Sequence, residues 1–545
     1  MNAMQTLTSE LHHPLHGTGD RFPGAAELAR QIAYGEVTAE EVTASHIARL
    51  SAHQQSLNAV VYPLYDQALA AAREADRRQR LGRRLGPLHG VPITVKETFD
   101  VVGTPSTLGV AARVTQLAKQ DSPLVQRLRQ AGAILLGKTN VPQLMCTYEC
   151  DNPVYGRTNN PWNLSRSSGG SSGGEAAAVA SGGSALGLGS DVGGSLRQPA
   201  QSCGIHAIKP TQGRLTLLGH ALDHNGSVSG MFQAGPMARR VEDLWLALQS
   251  MAIVGPDPAD STINAPRMSD FQLLDLSGMK IGYYEDDGFF TPGPAIRRAV
   301  REAAAVLREA GAEVVHFKPP QVERAVQIYY GLHFADGLAH WRELLENSPR
   351  DFRVTRAFAS AKLPDGLRAV LQSLLEFTGQ SRMARAVRMM PETSSRHLPF
   401  WQEQRAAYVQ QFEQAWQSQQ FDALLCPVHT LPAFDHGRCY TLNMTGSYCQ
   451  LFNILGLPAG AVSVGRVQPG EETQRKPGYD LVERACQTIE QTSTGLPVAV
   501  QIAAPRWRED RVLALMHHLE SHFQTQADYP SLPALQHVPL VQLDG

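Results

Sequence analysis

Two serines set among glycines carry the most legible chemistry of this chain. Ser171 lies in Gly169-Gly170-Ser171-Ser172-Gly173-Gly174-Glu175, and Ser195 lies in Gly189-Ser190-Asp191-Val192-Gly193-Gly194-Ser195-Leu196-Arg197. They are 24 residues apart, and each follows Gly-Gly. Glycine admits dihedrals closed to other residues and lets a bound molecule approach the main chain. A serine on such a turn exposes its hydroxyl beside backbone N–H groups. An acyl-transfer nucleophile with an oxyanion hole requires that arrangement. Composition alone fits two flexible glycine–serine loops equally well, so the choice rests on the elements around them.

Those elements alternate. Residues 25–34 read as a helix, and Thr38-Ala-Glu-Glu41 is a capping box opening a second one. A third covers 68–79. Gly90-Val-Pro-Ile-Thr-Val-Lys96 ends in a short apolar strand that carries a lysine. Helices are then expected over 122–131, 174–181, 244–252 and 294–310. Strands are expected over 133–136, 185–189, 279–284 and 313–316. Alternation of this kind argues for a layered α/β sheet. Between about 320 and 420 the pattern is helical throughout. Strands resume at 423–426, 460–464 and 496–502, and a last helix covers 510–523. Residues 468–494 read as a polar insertion. The organisation expected is an N-terminal helical segment over 1–80, one domain over 81–530 with a helical insertion at about 320–420, and an extended tail over 531–545.

Bulk properties narrow the partners. A formal net charge of −2 gives no reason to expect nucleic acid. Seven cysteines, scattered and without CxxC or Cys/His spacing, point to a reduced, metal-free interior. No apolar run reaches the roughly 18 residues of a membrane span, and the N-terminal residues lack a signal-peptide pattern. A cytoplasmic enzyme without a cofactor is expected.

Two motif matches mislead. Gly132-Ala-Ile-Leu-Leu-Gly-Lys138-Thr139 fits the phosphate-loop pattern G-x-x-x-x-G-K-[ST]. Its middle residues are themselves the apolar strand, and Pro142 blocks the helix that should follow. Gly170-Ser-Ser172-Gly-Gly174 fits the nucleophile elbow G-x-S-x-G, but Asn163-Leu-Ser-Arg-Ser-Ser168 is too polar for the buried strand that precedes such an elbow.

The lysine ending Gly90–Lys96, the two glycine–serine motifs and Cys203-Gly-Ile-His-Ala-Ile-Lys-Pro-Thr211 together resemble the amidase signature family. Thr139-Asn-Val-Pro-Gln-Leu-Met145, Asn160-Pro-Trp162, Gly282-Tyr-Tyr-Glu285 and Gly495-Leu-Pro-Val-Ala-Val-Gln501 resemble its fatty acid amide hydrolase branch. The resemblance runs from about residue 85 to 520. It implies an α/β fold with a large mixed β-sheet core flanked by helices on both faces. It also implies a Ser–cis-Ser–Lys triad on Ser195, Ser171 and Lys96, with Ser171 relaying the proton between nucleophile and base. An ordinary lysine, with a pKa of about 10.4, is almost wholly charged near neutral pH, so burial after the apolar strand must lower it. The implied oxyanion hole is the N–H groups of Val192, Gly193, Gly194 and Ser195, with the Met145 main chain lining the substrate site. Ser172, Asp191 and Arg197 are expected to brace the loops, Arg197 by pairing with Asp191. Glu175 and Asp191 look like an acid/base pair, but loop-bracing hydrogen bonds are the simpler expectation.

Leu363, Leu367, Val370, Leu371, Leu374 and Leu375 recur at helical spacing, and Arg382, Arg385 and Arg388 follow. Such a segment can lie on a membrane surface through about 363–390, or pack on the core, or form a homodimer contact. The corresponding region caps the acyl tunnel in the animal enzymes, which implies a small-molecule amide substrate with a long apolar acyl chain. Cys146 departs from that branch, which carries an aromatic residue there. Three alternatives stand beside it: a generalist aryl acylamidase, esterase or carbamate hydrolase; an amidotransferase component; and a non-catalytic binding protein on the same fold.

Overall fold

The structure, a computed structural model, describes residues 22–222, 229–361, 363–389, 397–533 and 535. The expectations for residues 1–21, for Met390 and for the tail over 536–545 therefore lie outside the described residues. The centre is an 11-stranded sheet. Its strands in chain order are β1 (Val60–Pro63), β2 (Pro92–Lys96), β3 (Ile134–Thr139), β4 (Leu186–Asp191), β5 (His206–Lys209), β6 (Gln233–Ala238), β7 (Lys280–Tyr283), β8 (Glu313–His316), β9 (Ala423–Pro427), β10 (Ala459–Arg466) and β11 (Pro497–Ala503). Their spatial order is β1-β3-β2-β4-β6-β5-β10-β11-β9-β7-β8. Pairs β2–β3, β2–β4, β7–β8 and β7–β9 are parallel and the others antiparallel, so the sheet is mixed. Helices cover both faces, as the α/β class requires.

Most expected elements form within a few residues of their expected ends. The Thr38 capping box is present, with Thr38 and Glu41 bonding reciprocally. Two central strands, β5 and β6, are absent from the sequence reading. Pro236 stands in the middle of β6, and an interior proline argues against a central strand. The ladder resolves the conflict. Strand β6 pairs with β5 only at Met237 and Ala238, so Pro236 lies beyond the shared hydrogen bonds on that side.

Two other expectations change. Residues 163–167 do form a strand, Asn163–Ser167, but in a separate two-stranded sheet with its first three residues exposed. The supposed polar insertion contains a helix, Leu481–Gln491, which Asp480 caps by accepting from the N–H groups of Val482 and Glu483. Between β8 and β9 the chain is helical, with Val322–Phe334, Phe352–Ala361, Asp365–Phe377, Ser381–Met389 and Leu398–Gln419 the main pieces.

Candidate active site

Parallel pairing of β2 with β4 sets Val95 opposite Leu188. The C-terminal ends of the two strands therefore emerge side by side, and the side chain of Lys96 meets Ser190 at the end of β4 and Ser171 of the first glycine loop. Lys96 is fully buried. Its Nζ lies 2.7 Å from Ser171 Oγ, 3.0 Å from Ser190 Oγ and 3.4 Å from the Ser190 carbonyl. Burial lowers its pKa to about 7, against the smaller opposing influence of nearby groups such as Cys150 and Asp191. The amine is thus substantially neutral near physiological pH.

Two other buried lysines show what distinguishes this one. Lys138, from the false phosphate-loop motif, bonds the Pro105 carbonyl at 2.5 Å and Ser106 Oγ at 3.0 Å. Lys209 bonds the carbonyls of Leu457 and Pro210. Burial lowers both pKa values, but these amines are spent on partners outside the glycine loops.

Ser171 follows a cis peptide bond at Gly170–Ser171. The turn is held by the Gly170 N–H donating to Gln198 Oε1 and by the Ser172 N–H donating to the Ser195 carbonyl at 3.2 Å. A side chain on Gly170 would strike the Thr147 and Tyr148 main chain, with the nearest atom 2.6 Å away. Ser172 Oγ donates to the Ser190 carbonyl at 3.2 Å, a bracing contact. Ser195 is 6% exposed and lines a cavity of about 280 Å³. Among the described residues its Oγ has no hydrogen bond, so the contact with Ser171 that the triad expects is not made.

The loop between them is fixed by Asp191. This buried carboxylate accepts from the Gly194 N–H at 2.7 Å and the Leu196 N–H at 3.1 Å, and receives Arg197 at two 3.0 Å contacts. Asn453 Nδ2 donates to it as well, at 2.8 Å. Burial opposes the Asp191 charge, but the Arg197 guanidinium overcomes it and holds the carboxyl well below the usual carboxylate range. The Gly194 N–H is therefore spent on Asp191, which removes it from the expected oxyanion hole. Val192, Gly193 and Ser195 keep N–H groups with no acceptor among the described residues. Tyr148 donates to the Gly193 carbonyl at 2.6 Å, so the Gly193–Gly194 peptide is held from both sides. Gly194 has φ +120, and a side chain there would lie 2.6 Å from Cys449 Cβ. Only glycine fits.

Glu175 is not part of an acid/base pair. It bonds Thr94 and, at 2.6 Å, Thr139. Burial raises its pKa to about 8, which leaves it a neutral, loop-bracing acid near pH 7. Met145, with φ +54, lines the cavity beside Val192 and Gly193. The sequence reading missed Ser190 and His220. Ser190 Oγ lies 3.2 Å from His220 Nε2, and His220 Nε2 lies 2.7 Å from Thr98 Oγ1. The pair Gly219-His220, a histidine on a glycine turn (φ +72), was the available signal.

Beyond the serines, the cavity is walled by Tyr148, Phe290, Tyr330, Phe334, Trp341 and Leu371 among others. The trailing arginines are paired. Arg382 meets Glu483 at 2.6 Å, Arg385 meets Glu323 at 3.0 Å, and Arg388 shares Glu323. Leu367, Val370, Leu374 and Phe377 are exposed, Phe377 to 91%. No helix among the described residues is long and apolar enough to cross a membrane.

This mixed sheet, with a buried lysine hydrogen-bonded to a serine of a glycine loop at the base of an apolar cavity, defines a layered α/β protein built around a lysine–serine pair. Comparison with known proteins makes the assignment specific. Residues 41–513 match the family described as Amidase, and the chain belongs to the amidase signature family. It is 34% identical over 499 residues to "Fatty-acid amide hydrolase 1" of Sus scrofa, covering 91% of this chain and 84% of that protein. It is 33% identical to a glutamyl-tRNA(Gln) amidotransferase component of Rhodopirellula baltica, covering 92% of this chain and 97% of that one. A solved structure named "Fatty acid amide hydrolase" superposes with TM-score 0.77 at 27% identity, over 92% of this chain and 84% of that chain. The protein is an amide-hydrolysing enzyme.

Proposed function

We propose that this enzyme hydrolyses amides of long-chain acyl groups, through an acyl-enzyme on Ser195. Lys96 is the base. Its neutral amine takes the Ser171 proton as Ser171 takes the proton of Ser195, and the freed oxygen attacks the amide carbonyl. The oxyanion then faces the N–H groups of Val192, Gly193 and Ser195. The relay run backwards delivers the proton to the leaving amine, and water repeats the sequence to release the acid. This step needs a hydrogen bond between Ser171 and Ser195 that forms as the substrate binds. Catalytic hydrogen bonds are commonly completed only with substrate in place.

The observation that carries the substrate reading is the apolar, aromatic-walled cavity opening from Ser195 to the helices between β8 and β9. An acyl chain laid there loses apolar surface to water at about 25 cal/mol per Å². We propose further that the helical stretch 322–419 acts as a cap over this chain, and that its exposed face over Asp365–Phe377 touches lipid. With the three arginines already paired to glutamates, that contact rests on apolar burial more than on lipid charge.

Hydrolysis of an amide series from acetyl to oleoyl tests the substrate. A kcat/KM that rises with chain length is expected. The highest value for acetyl removes the long-chain reading and leaves amide hydrolysis intact. A fluorophosphonate probe tests the nucleophile: wild type labels, and Ser195→Ala does not.

A further inference from the structure

We infer that His220 is a positioning residue for Lys96, acting through the Ser190 hydroxyl. The inference rests on Lys96 being the base. A neutral amine has two N–H bonds and one lone pair. Around Lys96 Nζ stand Ser171 Oγ at 2.7 Å, Ser190 Oγ at 3.0 Å and the Ser190 carbonyl at 3.4 Å. A base must aim its lone pair at Ser171. The two N–H bonds then belong to the Ser190 carbonyl and Ser190 Oγ.

That assignment makes Ser190 Oγ an acceptor toward Lys96, so its own proton has to point elsewhere. Turned toward Nζ, it would occupy the lone pair and silence the base. Among the described residues two acceptors lie in reach: His220 Nε2 at 3.2 Å and Met145 Sδ at 4.0 Å. A thioether is a weak acceptor. His220 takes the Ser190 proton in a hydrogen bond, as the tautomer whose own proton sits on Nδ1, 3.3 Å from the Leu222 carbonyl, while the Leu222 N–H, 3.2 Å from that nitrogen, competes for it. Thr98 Oγ1, at 2.7 Å, donates to the same Nε2 and competes for it.

The imidazole is built in firmly enough for this role. It is 3% exposed, and its ring meets Phe99 and Phe232 edge-on, each at 4.8 Å between centroids. A backbone bridge ties His220 to Phe99, three residues past Lys96. The arrangement also suits the charged state. Once Lys96 has taken the Ser171 proton it carries three N–H bonds, and the same three oxygens accept them. Ser190 does not have to turn during the reaction, which is the meaning of preorganisation here.

A double-mutant cycle tests this. The rate of fluorophosphonate labelling, together with kcat and KM on an amide, is measured for His220→Leu, Ser190→Ala and the pair. His220→Leu is expected to slow labelling and kcat about tenfold with KM unchanged. His220→Gln, which keeps an acceptor of similar reach, is expected to recover most of that loss. On the Ser190→Ala background His220→Leu is expected to change nothing further. The inference is overturned if His220→Leu labels at the wild-type rate, if its cost is the same on both backgrounds, or if the Gln variant loses as much as the Leu variant. His220→Asn, too short to reach Ser190, replaces the Leu variant if that one fails to fold by thermal melting. Labelling that survives Ser195→Ala overturns the reading of the site itself, whatever the His220 variants do.

Discussion

The floor of the site and the helices above it are built on opposite plans. The floor is polar and dense. Lys96, Ser171, Ser190, Asp191 and Arg197 are all but fully buried, and every polar contact described there has a specific partner. A side chain added at Gly170 or Gly194 would collide with neighbouring atoms at 2.6 Å. The helices over 322–419 meet the cavity mostly with apolar and aromatic surface, and of the arginines that also line it, Arg353, Arg382 and Arg385 are paired to glutamates. In a dry polar cluster, removing one partner strands another, so substitutions are expected to act on the chemical step. An apolar wall is graded: each methylene counts modestly, so substitutions are expected to act on the choice of substrate.

That contrast can be broken at several points. The sharpest is Lys96→Met, expected to lower kcat by about 10³-fold or more with little change in KM. In the wild type, kcat/KM is expected to fall as pH drops through about 7, where Lys96 gains its proton. Stability carries the same signature. The folded lysine loses its proton near 7 and an unfolded one near 10.4, so between those values the unfolded chain binds more protons. Wild-type stability therefore gains from this group as pH rises through that window, and denaturant midpoints for Lys96→Met should lack that gain.

Next in size is Gly194→Ala, expected to cost about 10²-fold in labelling rate because the loop must shift off Cys449. Full activity there would show that the floor tolerates movement. Smaller effects belong to the wall. Leu371→Ala is expected to reduce the preference for oleoyl over acetyl amides about tenfold, through the lost apolar contact, while leaving acetyl hydrolysis unchanged. A fall in acetyl turnover would show that wall and floor are coupled. Tyr148 and Arg353 are where coupling would run: Arg353, from the helix Phe352–Ala361, lies 3.1 Å from Glu149, next to the tyrosine that holds Gly193. Least of all, Phe377→Ser is expected to weaken vesicle binding severalfold. The loss should be equal on neutral and anionic lipid, because the nearby arginines are already paired.

Much of the floor was legible because its motifs are local. Gly-Gly-Ser repeats mark backbone positions that other residues cannot take. A lysine ending an apolar strand marks burial, and a signature of several such pieces in order marks a family. The strands and helices with clean periodicity were legible for the same reason. Strand β6 was hidden because Pro236 is tolerable only where its pairing with the neighbouring strand ends, and no residue near it in sequence says where that is. The helix Leu481–Gln491 was hidden in a polar stretch, since only one side of it packs.

The sequence by itself determined the fold class, the family and the residues proposed to do acyl chemistry, since those follow from short-range patterns of glycine, serine and apolar spacing. Tertiary structure alone decided how they are used. It placed the Gly194 N–H on Asp191 and left the Val192, Gly193 and Ser195 N–H groups without an acceptor among the described residues. Of the three buried lysines it gave Lys96 the contact with Ser171, and it set Ser190 and His220 beside that contact. Hydrogen bonds are shared out among atoms that meet only when distant strands pair, and that allocation is written in geometry and not in any local run of residues.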